Sequence, residues 1–270
     1  YKTESADVKQ GLDASRKIEW DKWNQFQAGR PVRGNELKRL LEEGHEVIPT
    51  RWVDVDKNSH LRRAGGPYIE PAYKSRLTSR GDLENVDGLR KDSPTADVEA
   101  HNLIFSFAAS RKLRLGSADI SNAYFQGKEL DRILILKPPA GGLPDPEYQD
   151  GETFILARVP IYGTADAGRN FWKELRDVIQ ANGLKENQIS KALYSYCDEN
   201  GSIRCIVATH VDDILWAAEP DAKHRIDAIL AHFKVGKVEE GTFRFCGKDI
   251  KQDQEGSVTV SCRDACEQID

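Results

Sequence analysis

The 270-residue chain contains no methionine, not even at its first position, which is Tyr1. A free-standing translation product would normally show its start residue, so the sequence reads as a fragment or an internal piece of a polyprotein. Its far end stops abruptly at Gln268-Ile269-Asp270, after a helix-like stretch. No apolar run approaches the roughly 18 to 20 residues that a membrane span needs. No basic segment followed by an apolar core opens the chain, so no secretory signal is visible and neither secretion nor a membrane is expected. Cysteine is scarce and odd in number. Cys197, Cys205, Cys246, Cys262 and Cys266 include no C-x-x-C pair, which fits free thiols in a reducing compartment. The six histidines are scattered, and none joins cysteines at zinc-finger spacing. An excess of positive charge is missing too. The net charge is −5, which argues mildly against a nucleic-acid partner. No internal repeat is present.

What is there fits a globular chain, with 39% hydrophobic and 31% charged residues. Its length allows one large domain or two lobes with real cores. Charge is also local. Arg62, Arg63, Lys74, Arg76 and Arg80 stand against only Glu70 between residues 61 and 80, and Arg111, Lys112 and Arg114 form a second run. Such runs suit either a basic face or an ordinary solvated surface.

Periodicity predicts helix over 16–43, with a break at Gly29-Arg30-Pro31, then strands over 46–55 and 73–78. Residues 57–67 and 79–94 read as turn or loop. A helix is expected from a Thr95 cap, followed by strands over 113–120 and 133–136 and a loop over 139–151. Phe171, Trp172, Leu175, Val178 and Ile179 mark a helix ended near Gly183. The Asn200-Gly201 turn predicts a hairpin joining 194–197 to 203–209. His210-Val211-Asp212-Asp213 then forms the bend of another hairpin, and a third helix runs through Ile226 to Phe233. Residues 243–250 and 257–261 look like short strands. Strands and helices without strict alternation point to an α+β fold.

Two adjacent carboxylates between apolar strands, at Val211-Asp212-Asp213-Ile214, repel one another unless a cation offsets them. Mg²⁺ is hard, prefers oxygen ligands and takes one or two carboxylates plus substrate phosphates. Alone, the pair reads equally as a solvated turn. Asp119 ends the preceding strand and is followed by Ile120-Ser121-Asn122-Ala123-Tyr124-Phe125. A carboxylate at one strand end and a pair in a neighbouring bend suit two-metal phosphoryl transfer, with the ions about 3.5 to 4 Å apart.

These segments resemble, in order and spacing from about residue 16 onward, the copia-type retrotransposon reverse transcriptase, a domain of the Pol polyprotein. The finger strand resembles Lys74-Ser75-Arg76-Leu77-Thr78, and the palm motif resembles Asp119 through Phe125. The segment after it resembles Gly127-Lys128-Glu129-Leu130 with Ile133 through Pro139. The leucine-tyrosine-glycine motif resembles Ile161-Tyr162-Gly163, with Arg169 and Phe171-Trp172 beyond. The aspartate box resembles His210-Val211-Asp212-Asp213, and the segment near the primer resembles Phe245-Cys246-Gly247-Lys248.

The resemblance implies a right-hand polymerase fold, a palm with an antiparallel sheet backed by helices. It implies a division in which 16–115 are mainly fingers and 116–250 mainly palm. Residues 140–170 would belong partly to the fingers, and 251–270 would begin a connection or an incomplete thumb. It implies an RNA-directed DNA polymerase adding deoxynucleotides to a primer 3′-hydroxyl. Asp119, Asp212 and Asp213 would be catalytic and would hold two Mg²⁺ (or Mn²⁺) ions, with the backbone carbonyl of Ile120. Lys74 and Arg76 would reach the triphosphate, or else decorate an ordinary surface strand. Tyr124, with Ala123, would lie under the incoming sugar and exclude a 2′-hydroxyl, or else Tyr124 is a core aromatic. Tyr162, Gly163, Arg169, His210, Cys246 and Gly247 would face primer and template.

The partners implied are an RNA or DNA template with its primer, deoxynucleoside triphosphates, and protease, integrase and ribonuclease H segments of a polyprotein. DNA integration and a cytoplasmic virus-like particle belong to the same picture. No ribonuclease H segment is visible, so that activity is not expected of this chain. Two positions depart from the family pattern. His210 replaces a tyrosine. Asp166 replaces a glutamine, and there it either brings negative charge toward a triphosphate or points to solvent. A decayed, nucleic-acid-binding remnant is therefore the competing reading.

Overall fold

The computed structural model describes residues 5–62 and 66–266, so Arg63 of the basic run, Gly65 and the terminal Gln268-Ile269-Asp270 lie outside the described residues. The elements in chain order are α1 (Ala6–Gln25), β1 (Gly29–Val32), α2 (Gly34–Glu42), β2 (Val47–Asp56), β3 (Tyr73–Ser79), α3 (Val98–Arg111), β4 (Leu115–Ile120), β5 (Ile135–Lys137) and β6 (Phe154–Ala157). There follow α4 (Ala167–Ala181), β7 (Lys185–Glu186), β8 (Leu193–Cys197), β9 (Ile203–His210), β10 (Asp213–Ala218), α5 (Lys223–His232), β11 (Val235–Glu240), β12 (Thr242–Phe245), β13 (Lys248–Gln252), β14 (Val258–Ser261) and the short α6 (Arg263–Cys266). The fold is α+β. It divides into two compact units, residues 1–91 with 127–170, and residues 92–126 with 171–270.

The first unit is built on a five-stranded sheet in the order β1-β6-β5-β2-β3, in which only β2 and β5 run parallel. The expected break at Gly29-Arg30-Pro31 is strand β1. Pro31 is tolerated there because β1 is an edge strand, paired with β6 alone. Helix α1 starts ten residues before the expected position 16. It buries Leu12, Ser15, Glu19, Trp20 and Trp23 on one side. Ser15 and Glu19, one turn apart, face the free edge of β3. Ser75 N–H donates to Ser15 Oγ at 2.8 Å, and Ser15 Oγ donates to the Tyr73 carbonyl at 3.2 Å. Leu77 N–H reaches the Glu19 carboxylate. An edge that would otherwise offer bare amides is thereby closed by a helix.

The second unit is built on an antiparallel six-stranded sheet in the order β11-β4-β10-β9-β8-β7, with a three-stranded sheet β12-β13-β14. One face of the large sheet packs Ala118, Ile120, Ile214 and Trp216 against Phe171, Leu175 and Ile179 of α4 and Ile226 and Ile229 of α5. The other face packs Leu115, Leu215, Ala217 and Ala208 against Ala100, Ile104 and Ala108 of α3, and against Phe243, Phe245 and Ile250. α3 covers the sheet that holds β4, so residues 92–126 belong to one unit. Helix α3 is capped by Asp97, not Thr95. The Asp97 carboxylate accepts from Ala100 N–H at 2.7 Å. β11 is an element that residue pattern did not predict, because Val235-Gly236-Lys237-Val238-Glu239-Glu240 lacks a clean alternation of apolar and polar residues.

Candidate active site

In the second unit the β9–β10 hairpin pairs His210 with Asp213, leaving Val211 and Asp212 in the bend. Asp213 is also directly opposite Asp119 on β4. His210, Asp213 and Asp119 therefore form one row across three neighbouring strands. Directly opposed residues point to the same face, here the face covered by α3. The bend is tied to β4 by Ile120 N–H, which donates to the Asp212 carbonyl at 2.7 Å. Val211 sits at φ +56°, a left-handed conformation that a β-branched side chain rarely adopts. Backbone strain of this kind is characteristic of sites where geometry is over-determined by its surroundings.

The row crowds negative charge. Burial, then Asp212, then Asp119 push the half-buried Asp213 carboxyl up to about 6, and His210 partly offsets this. The three aspartates supply hard oxygen donors, which is the donor set Mg²⁺ takes. The Asp119 carboxylate is turned toward β11, where Oδ1 accepts from Lys237 N–H at 2.6 Å beside Gly236. In these rotamers no group of three His, Cys, Asp or Glu side chains able to hold a metal ion is preformed among the described residues.

Cys246 and Gly247 form the two-residue turn between β12 and β13, joining Phe245 to Lys248, with φ of 47° and 75°. Two successive left-handed residues make a tight hairpin turn, for which glycine at the second position is suited. Burial, then the negative charge of Asp213, push the Cys246 thiol up to about 11, so this turn lies within the field of the acidic row. Lys248 Nζ meets His101 Nδ1 at 3.3 Å. An ammonium only donates, so the His101 ring proton sits on Nε2. Burial, then Lys248 and His210, hold His101 down at about 4. His101 Nε2 and His210 Nδ1 are buried without hydrogen-bond partners.

Ala123 and Tyr124 lie in a short 3-10 turn after β4. Ala123 is buried, and the half-buried Tyr124 ring packs on the α4–α5 side of the sheet. Neither His101 nor Gly236 was marked by any sequence motif. The one available signal was a glycine in an apolar-charged stretch, which often marks a close backbone approach.

The first unit carries the other residues singled out. Lys74 is exposed and Arg76 half-buried on β3. The Arg76 guanidinium stacks on the Tyr162 ring at 3.9 Å, while Ser79 N–H donates to the Tyr162 carbonyl at 2.8 Å. Gly163, at φ +91°, fits because a Cβ there would stand 2.3 Å from the Ser79 carbonyl oxygen. Arg169 is buried at the start of α4.

Asp166 corrects both sequence-based alternatives. It is 3% exposed, and its carboxylate takes Arg132 Nη2 at 3.0 Å and Asn170 Nδ2 at 3.0 Å. Arg132 also pairs with the buried Glu84. Asp166 thus spends its charge inside the unit. The basic run is likewise partly neutralised, since Arg62 pairs with Asp56, Arg80 with Asp82 and, in the second unit, Arg111 with Glu219.

A family model described as reverse transcriptase (RNA-dependent DNA polymerase) matches residues 38–269, a span that holds β3, β4 and the β9–β10 bend. Similar solved structures include apo telomerase from Candida tropicalis, truncated from its C-terminal domain. It shows 9% identity and a TM-score of 0.45, over 91% of this chain and 59% of that one. Telomerase from Candida albicans, in complex with a TWJ fragment of telomeric RNA, shows 7% identity and a TM-score of 0.48, over 91% of this chain and 49% of that one. The chain thus spans between about half and three fifths of the length of these structures. With the family model running through most of its length, the chain belongs to the reverse transcriptase (RNA-dependent DNA polymerase) family.

Proposed function

We propose that this chain is the nucleotidyl-transferring core of a copia-type retrotransposon reverse transcriptase, with the first unit as fingers and the second as palm. The observation that carries this reading is the pairing of Asp119 with Asp213, with Asp212 in the adjoining bend. Asp119, Asp212 and Asp213, with the Ile120 carbonyl, would hold two Mg²⁺ ions. Bound there, the metal would acidify the primer 3′-hydroxyl and neutralise the triphosphate and leaving pyrophosphate.

Lys74 would meet the triphosphate as a point charge and Arg76 as a planar fork. Tyr162 would hold Arg76 in place by stacking. Tyr124 beside Ala123 would close the space that a 2′-hydroxyl needs. The Cys246–Gly247 turn would present backbone to the primer, with His210 in the same row as the acids. Tyr162, Gly163 and Arg169 would serve the template side. Template contacts would be mostly to phosphates, hence salt-sensitive and indifferent to sequence.

The competing reading, a remnant that binds nucleic acid without extending it, drew on Asp166 and His210. With Asp166 paired to Arg132, only His210 still speaks for it. Primer extension on an RNA template with Mg²⁺ tests the proposal. The wild type should extend, and Asp212→Asn should lose about a hundredfold or more, on the scale of removing one preorganised charge-stabilising group. Template binding without extension by the wild type would favour the remnant.

A further inference from the structure

Lys74 and Arg76 project from a strand whose free edge is held by three outward amides. Ser75 N–H is taken by Ser15, Leu77 N–H by Glu19 and Ser79 N–H by the Tyr162 carbonyl. Of these three acceptors only Glu19 carries charge. It is 2% exposed, one Oε lacks a hydrogen-bond partner, and its nearest ion pair is Lys22 Nζ at 3.7 Å. A carboxylate buried this deeply is costly unless cations stand close. Burial holds its pKa above the ordinary carboxyl value, and the cations that pull it back down are Lys22 on its own helix and Arg76 and Lys74 on β3.

The other acids nearby are committed elsewhere. Asp54 and Asp56 alternate with Val53 and Val55 on β2 and are taken by Arg16 and Arg62. Lys74 itself feels Arg76 from its own strand, Lys57 after β2 and Lys22 on α1, all positive, with Glu19 as the opposing charge.

We propose that Glu19 is a positioning residue for the Lys74–Arg76 strand: its buried carboxylate fixes the Leu77 backbone next to Arg76 and is the internal counter-charge to both cations. This deepens the reading of Lys74 and Arg76 as triphosphate ligands and rests on it. Without Glu19 the strand would bring mutually repelling cations together with no anion until a nucleotide arrived. The effect on Lys74 is directional. Burial and the three neighbouring cations lower its pKa, and Glu19 raises it.

The test reads Lys74 directly. Acetylation of individual lysines by a limiting amine-directed reagent, followed by mass spectrometry across pH 7 to 10, gives each ammonium's titration. In Glu19→Gln, which keeps an acceptor but removes the charge, Lys74 should react about three- to tenfold faster at pH 8 to 9, a shift of half to one pKa unit. The exposed Lys251 of the other unit should not change. Ser15→Ala, which removes the neighbouring edge contact and no charge, should leave Lys74 unchanged. The reciprocal measurement uses Lys74→Met, at an exposed site that tolerates it. The Glu19 carboxyl, followed by carbon NMR, should then titrate higher than in the wild type.

Loss of thermal stability in Glu19→Gln with an unmoved Lys74 profile would reduce Glu19 to a structural role and overturn the proposal, as would an unmoved Glu19 in Lys74→Met. If the wild type extends primers, Glu19→Gln should raise the deoxynucleotide KM several-fold with kcat held within about twofold. If it does not, the labelling and NMR arms still decide the role of Glu19 independently of polymerase activity.

Discussion

Gly236 is the residue on which the aim of Asp119 depends. A Cβ at this position would stand 2.5 Å from Asp119 Oδ2 and 2.8 Å from Ser121 Oγ. Both are ends of side chains, so the fold gives way cheaply while the carboxylate moves. Gly236→Ala is expected to cut primer extension about tenfold or more, as small misplacements of a reacting group do, while Tm changes by only a few degrees. Extension kinetics beside a thermal melt will show whether activity falls without stability.

His101 makes stability depend on pH. It is 3% exposed and held at about 4 against an ordinary 6.5. Above pH 6.5 the ring is neutral in both folded and unfolded chains. Between 6.5 and 4 only the unfolded chain takes up the proton, so stability is lost as the pH falls through that window. The wild type should lose up to about 3 kcal/mol more than His101→Phe between pH 7 and 4, read from denaturant midpoints. Parallel pH curves for the two proteins would contradict this.

At this scale the sequence was partly legible. The three aspartates stand out because a carboxylate pair between apolar strands is costly and local. Glu19, His101 and Gly236 were opaque, because what gives each its role comes from another element: the edge of β3, the β13 lysine and the Asp119 side chain. Asp166 was misread for the same reason. Its partner Arg132 lies 34 positions away.

Among the elements, the segment around Asp166 shows how loops are fixed. Arg132 stands between Glu84 and Asp166, whose side chains are 2% and 4% exposed. Glu84 also accepts from Ala165 N–H at 3.0 Å. Removing the guanidinium leaves two buried carboxylates facing each other. Arg132→Met is therefore expected to cost about 3 to 5 kcal/mol, whereas most surface substitutions cost far less. Urea denaturation of the pair will measure it, and a loss under 1 kcal/mol would mean that water reaches the cluster.

Elements with a clean period were legible. β2, β3, β8, β9 and α5 fall within a few residues of their expected spans. Those missed were β1, β6, β7 and β11, which are short, interrupted by glycine or proline, or defined by a distant partner rather than by their own pattern. The hairpin between β12 and β13 was expected as one strand, because Phe243, Phe245 and Ile250 hide a turn whose only mark is the Cys246–Gly247 dipeptide.

Taken whole, the molecule is two cores made from interleaved stretches of chain, since residues 127–170 return to the unit begun by residues 1–91. The α+β class was legible because it follows from pattern alone. The interleaving was not, because it depends on which faces bury together, and α3 reveals its allegiance only through contacts with distant strands such as β4, β9 and β10. One feature of the first unit reaches beyond catalysis. α1 ends at Gln25, ahead of the family-matched span that starts at residue 38, yet it supplies the acceptors for the outer amides of Ser75 and Leu77. Anyone trimming the gene to the recognised span would strip that cover and leave a raw strand margin ready to stitch onto its neighbour. Clumping of such a truncated product would betray a missing lid on the sheet, not a sequence unable to fold.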